Sequence, residues 1–222
     1  MNMWTKRYIL KYGMRNMTVN FFGLEIAAMS RQEFFVFIKD TLTSGNRTTI
    51  ATINPEMLLA AKKDRTIRRV LSTMSVLIPD GIGITLMSFF TGQGICPRYP
   101  GVDFFIELCG LANETKETVL LLGGWGKDAE TACKVLKKVF PNVNFKAIGE
   151  IEIRYENGEW HQPIDLLENI RSQSPTIIAV ALGGGNNDRQ ERWVAEFANK
   201  IPSLKVAVGV GGAIDMISGK IP

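Results

Sequence analysis

The chain has 222 residues, room for one large or two small domains, and its 45% hydrophobic and 22% charged content fits a globular protein with a sizeable core. The net charge of +4, from 26 basic and 22 acidic residues, is local: residues 1–16 hold Lys6, Arg7, Lys11 and Arg15 and no acid, so the remainder is neutral. That distribution argues against a nucleic-acid-binding face, and three cysteines without a C-x-x-C pair or an even framework argue for a reducing cytosol and against a disulfide scaffold or zinc site.

Residues 1–16 read as a basic tail carrying Trp4, Tyr8, Ile9, Leu10 and Tyr12, too short in its apolar run for a signal core or a membrane span. A short basic, aromatic helix there would suit an anionic membrane surface; a frayed terminus, or a start at Met14 or Met17, is the plainer expectation. Residues 17–222 read as a single α/β domain. Thr18 to Phe22 is a predicted strand, and Ser30-x-x-Glu33 is a capping box that opens a helix ended by Gly45. Arg47 to Ile53 is a strand, and Asn54-Pro55 supplies the N-cap and first-turn proline of the next helix. A short helix around Ile67 leads to the strand that ends in Pro79-Asp80-Gly81. Ile82 to Phe90 is apolar nearly all round and should be buried or face lipid. Pro97 to Gly101 is a loop, and Val102 to Leu111 is helical again.

Three further apolar strands run into glycines: Thr118–Leu122 into Gly123-Gly124, Thr176–Leu182 into Gly183, and Val206–Val208 into Gly209-x-Gly211-Gly212. Helical patterns at 128–139 and 188–200 separate them. Continuous apolar strands alternating with helices indicate a Rossmann-like, mostly parallel sheet covered by helices on both faces. Ligands of such sheets bind outside the carboxyl ends of the strands, where this chain places Thr52, Asn54, Asp80 and the glycine clusters. Glycine-opened helix starts offer free amides to anions, so Gly123, Gly124, Gly183 and Gly211 are candidate nucleotide-binding positions.

Gly124-x-Gly126-x-x-Ala129 fits the permissive dinucleotide fingerprint, with Glu150 as the acid after the next strand. A tight turn needing glycine for geometry alone explains the same residues, and an NAD-type oxidoreductase or a non-catalytic nucleotide-binding module stays open. Walker A and G-x-S-x-G motifs are absent, and D-x-D is missing, so no metal site is expected. His161, the single histidine, falls in a polar hairpin-like stretch and reads as a surface residue. Asp80 is either the N-cap of the helix starting near Gly81 or, partly desolvated, a general base of raised pKa. Arg98, in a loop stiffened by two prolines, is a solvated charge or a phosphate clamp. Gln190, in a helix start whose acids suit the dipole, is less easily explained as structural.

Together, Thr52-x-Asn54-Pro55-Glu56-Met57, Pro79-Asp80-Gly81-x-Gly83, Arg98-x-Pro100-Gly101-x-Asp103, Leu122-Gly123-Gly124, Arg189-Gln190-Glu191 and Gly209-x-Gly211-Gly212-Ala213-x-Asp215 resemble the WecG/TagA/CpsF family of bacterial glycosyltransferases, over residues 18 to 222. The resemblance implies an inverting transferase that moves an N-acetylmannosamine-type sugar from a UDP donor to a sugar on undecaprenyl diphosphate, for teichoic acid, enterobacterial common antigen or exopolysaccharide. It implies Asp80 as general base, with Thr52, Asn54, Arg98 and Gln190 lining the substrate pocket. No cofactor beyond the donor is implied. The expected partners are the UDP-sugar, the lipid-diphosphate acceptor and the inner face of the cell membrane, with a homo-oligomer left open. Two departures stand out. The family's G-x-P-K/R-Q-E is here a longer, proline-free run from Gly183 to Glu191. Family members also continue past Pro222 into an arginine-rich tail, so weak activity is expected of the chain as it stands.

Overall fold

The computed structural model describes residues 18–94, 96–183 and 188–220. The basic tail at 1–16 with Met17, Ile95, the glycine–asparagine run 184–187 and the last two residues lie outside them. The strands are β1 (Thr18–Phe21), β2 (Leu24–Ala27), β3 (Thr48–Ile53), β4 (Val76–Pro79), β5 (Thr118–Gly123), β6 (Asn144–Ile148), β7 (Arg154–Glu156), β8 (Glu159–His161), β9 (Ile177–Ala181) and β10 (Val206–Gly209). The helices are α1 (Arg31–Ser44), α2 (Pro55–Lys63), α3 (Arg65–Thr73), α4 (Ile82–Phe90), α5 (Gly101–Thr115), α6 (Asp128–Val139), α7 (Leu166–Ser172), α8 (Arg189–Phe197) and α9 (Ala213–Ile217).

Eight strands form one sheet in the order β1-β2-β4-β3-β10-β9-β5-β6, and every neighbouring pair except β1–β2 is parallel. The Rossmann-like α/β expectation therefore holds. β7 and β8 make a separate hairpin that carries His161 on the surface, as expected. β10, last in sequence, sits in the middle and joins β3 on one side to β9 on the other.

The apolar strands are continuous because both their faces are buried. In β9, Ile177, Ala179 and Ala181 pack on one side with α1, α5, α6 and α9, while Ile178 and Val180 pack on the other with α2, α3, α7 and α8. Local signals set the helix ends: Ser30 and Glu33 form both bonds of the capping box, and Gly45 closes α1 in the left-handed conformation. Asn54 Oδ1 accepts the Met57 amide at 2.8 Å and Pro55 takes the first turn of α2.

From β3 across to β5 the outgoing helices alternate faces: α2, α9, α8, then α6. Strands that release their connections to opposite faces leave a crevice at their carboxyl ends. Among the described residues no helix is long and apolar enough to cross a membrane.

Candidate functional site

Asp80 ends β4. Its amide donates to the Ile53 carbonyl at 2.7 Å, tying it to the end of β3. α4 has Gly81 as its N-cap, so Asp80 stands one residue ahead of the cap, and its carboxylate accepts the Gly81 amide. It also accepts the amide of Gly101, the first residue of α5, whose own cap Pro100 has no side chain to offer. Asp80 thus serves the start of its own helix and, across space, that of a second one.

Asp80 is half-buried, and burial raises its pKa above the ordinary carboxylate value. The Gly101 amide and the Arg98 guanidinium pull the other way, and Asp103 adds to the rise. Arg98 is exposed but its loop is pinned: the Tyr99 amide donates to the Pro79 carbonyl at 2.7 Å, and the Tyr99 hydroxyl donates to the Met29 carbonyl at 2.8 Å. Glycine at 101 leaves a narrow gap, since a Cβ there would stand 3.6 Å from Asp80 Oδ2 and 3.8 Å from Thr52 Oγ1. Thr52 is buried, and its hydroxyl donates to the Gly209 carbonyl at 3.4 Å. Asn54 lies at the same edge with its carbonyl oxygen committed to the α2 cap.

Gly209 leads to the next group. A Cβ on Gly209 would meet Glu191 Oε1 at 2.7 Å and Gln190 Nε2 at 2.9 Å, so glycine here lets both side chains of α8 lie against β10, and any larger residue would push their ends aside. Gln190 Nε2 donates to Glu191 Oε1 at 2.9 Å, and its Oε1 accepts the Gly211 amide at 3.1 Å. Glu191 is wholly buried, which pushes its pKa up to about 7, although the Gln190 bond opposes the rise. Asp80, Thr52 and Gln190 thus follow one another along the ends of β4, β3 and β10.

Beyond Gly211 the edge opens into a cleft of about 770 Å³ lined by Gly123, Gly124, Trp125, Gly183, Arg189 and Gly211, with Glu150, Arg154 and Asp215 also on its wall. The four predicted glycines meet there, but two of their amides are not open to an anion. Gly124 donates to the Ala181 carbonyl at 2.9 Å, and Gly211 donates to Gln190. The chain's turn geometry uses these donors itself, at positive φ of 85° and 52°. Two arginines also line the cleft: Arg154 is paired with Glu152 at 2.8 Å and Glu156 at 3.6 Å, which leaves Arg189 as the cation to consider for an anion.

Sequence reasoning did not single out Arg189 or Asp215. Arg189 Nε and Asp215 Oδ1 are buried and have no hydrogen-bond partner among the described residues. Burial first, then neighbouring Asp128, raises the Asp215 pKa. Both residues stand inside motifs already quoted, next to Gln190 and after Gly212, so the signal was present as position without an evident role. Trp125, 63% exposed at the cleft, went unremarked because the glycines on either side of it carried the reading, as a dinucleotide fingerprint or a tight turn.

The family model for the glycosyl transferase WecG/TagA/CpsF family matches residues 19–222. Two curated relatives are similar over 172 residues, 78% of this chain: the N-acetylglucosaminyldiphosphoundecaprenol N-acetyl-beta-D-mannosaminyltransferase of Bacillus subtilis (strain 168), 31% identical, and the protein of the same name from Bacillus spizizenii, 28% identical. The match spans 63% of each relative, so the chain covers less than two thirds of their length. The chain belongs to the WecG/TagA/CpsF family of glycosyl transferases.

Proposed function

We propose that this chain is the α/β body of an inverting glycosyltransferase that moves an N-acetylmannosamine-type sugar from UDP to a sugar on undecaprenyl diphosphate, in the assembly of a cell-surface polymer such as teichoic acid. The observation that carries this reading is the carboxylate of Asp80. It stands at a strand end with a raised pKa, beside an exposed arginine and along the same edge as a cleft large enough for a nucleotide-sugar.

The chemistry follows from that arrangement. Asp80 accepts the proton of the acceptor hydroxyl as its oxygen attacks the anomeric carbon. The new carbon–oxygen bond forms on the face opposite the old one, and the electron pair of the breaking bond leaves on the β-phosphate oxygen of UDP. A desolvated aspartate is a stronger base than an exposed one, so the raised pKa serves this step. Arg189, whose buried Nε has no hydrogen-bond partner among the described residues, is suited to the charge that develops on the diphosphate, and Arg98 to the diphosphate of the acceptor. Trp125 offers a face for the uracil ring, and Glu150 an acceptor for ribose hydroxyls. Thr52, Asn54 and Gln190 would line the sugar's path between the two diphosphates.

Glu150 at the cleft wall also fits the ribose contact of a dinucleotide, which is what keeps an NAD-type reading testable. Calorimetric titrations with UDP and with NAD separate the two. Binding of UDP without NAD supports the transferase; binding of NAD without UDP overturns it. For the base, Asp80→Asn is expected to lose transfer by at least ~100-fold while UDP binding persists. Turnover near the parent rate in that variant would remove Asp80 from the role.

A further inference from the structure

α4 begins two residues after Asp80 and turns its apolar side the wrong way for a buried helix. Ile84 and Ser88 face the core, while Ile82, Leu86, Phe89 and Phe90 are exposed, Phe90 to 79%. At 3.6 residues per turn the four exposed side chains fall within an arc of roughly 100°, opposite the buried pair. The Phe89 and Phe90 rings lie edge to face at 5.6 Å, side by side in the open. From Gly81 to Pro97 the chain carries no charged residue.

The stripe is rigidly joined to the candidate site. Gly83 lies so close to Pro55 that a Cβ on it would stand 2.5 Å from the ring, which locks the first turn of α4 against the helix that follows β3. At the other end, Gln93 accepts the Asn20 amide at 2.7 Å and donates to the Asn20 carbonyl at 3.1 Å, fastening the segment after α4 to the edge strand β1. Thr18, first residue of β1, pairs with Ala27 at the carboxyl end of β2. Thr18 therefore stands at the same edge of the sheet as Asp80, and the sequence ahead of it, residues 1–16, holds four basic side chains and no acid.

We propose that the exposed stripe of α4 is a bilayer-docking surface, which seats in the interfacial layer of an anionic phospholipid membrane and sets Asp80 over the headgroups. This rests on the transferase reading, in which the acceptor's diphosphate is held at that layer by its polyprenol. A nine-residue helix is only about 13 Å long. One such face is small beside the roughly 800 Å² per partner that a stable protein interface needs. Phe, Leu and Ile on an uncharged arc match a helix lying in the plane of the interface, and the basic residues upstream match anionic headgroups.

The test is flotation of the full chain with vesicles of phosphatidylglycerol and phosphatidylcholine, beside vesicles of phosphatidylcholine alone. The parent chain and Val139→Asp, an exposed apolar position on α6, should co-float with the anionic vesicles, and less with the neutral ones. Phe89→Asp with Phe90→Asp should reduce flotation at least ten-fold, with melting temperature and UDP binding unchanged. Should the double variant not fold, Phe90→Ser carries the same comparison at smaller amplitude. Equal flotation of variant and parent would overturn the proposal, as would a parent chain that ignores both vesicles. Sedimentation velocity without lipid adds a third refutation: a parent oligomer that the variant breaks, with flotation unaffected, means a second copy covers the stripe. UDP binding lost in every chain would sink the donor reading while leaving the flotation result to stand.

Discussion

The two halves of the carboxyl edge are built from opposite materials. Around Asp80 the surroundings are poor in charge: an uncharged run follows it for seventeen residues, and Arg98 and Asp103 are the ionic neighbours that act on its carboxyl. Past Gly211 the cleft is crowded with ionic groups, two arginines facing three acids. A carboxylate becomes a base when water and compensating charge are scarce, whereas a phosphate is drawn to an uncommitted guanidinium such as Arg189, whose buried Nε has no hydrogen-bond partner among the described residues. Under the proposed function, this contrast gives proton transfer to one end of the row and nucleotide recognition to the other, with Thr52 and Gln190 between.

That division breaks if single substitutions fail to separate the two ends. Asp80→Asn is the largest expected effect, the ~100-fold or greater loss of transfer with UDP affinity kept, read by steady-state kinetics and calorimetry on the same preparation. Arg189→Met should do the reverse, weakening UDP binding by roughly 10- to 100-fold with a smaller change in the rate at saturation. If the two variants give the same pattern, the ends are one site and the contrast is empty.

Glu191 sharpens the middle of the row. Its folded pKa, about 7, lies above its ordinary value of 4.5, so the folded state holds the proton more tightly than the unfolded chain. Stability from this group is complete below pH 4.5 and is lost as pH rises through 7, by on the order of 3 kcal/mol. Glu191→Gln should flatten that part of the pH profile in denaturant melts while keeping the contact to Gln190. A profile unchanged by the substitution would show that Glu191 does not titrate there. The smallest effect expected is for Gly209→Ala, a loss of roughly 1–3 kcal/mol as the added methyl pushes Gln190 and Glu191 aside, measured by thermal or denaturant unfolding.

Legibility varied with how local the determining physics was. The α1 capping box and the Asn54 cap involve residues three apart, and both formed as read. The β9 run was legible because a strand buried on both faces has no polar alternation to hide it. Ile82–Phe90 was readable only as apolar: composition does not say which arc meets the core, and the exposed arc follows from where α4 docks on Pro55. Asp80 resisted for a similar reason. One of its bonds reaches α5, some twenty residues on, and no local rule connects them. The amides of Gly124 and Gly211 looked open because their acceptors, Ala181 and Gln190, arrive from other strands and helices.

The central position of β10 bears on how the molecule assembles. A ribosome delivers β1 to β4, then β5, β6 and β9, as two partial sheets with no hydrogen-bonded ladder between them. Residues 206–209 arrive late and zip the two together, because β10 alone pairs with both β3 and β9. Until then each half carries an open edge, the condition under which nascent sheets pair wrongly or aggregate. The Thr52–Gly209 contact forms in the same event, so the row from Asp80 to the cleft exists only once the last strand has closed the sheet.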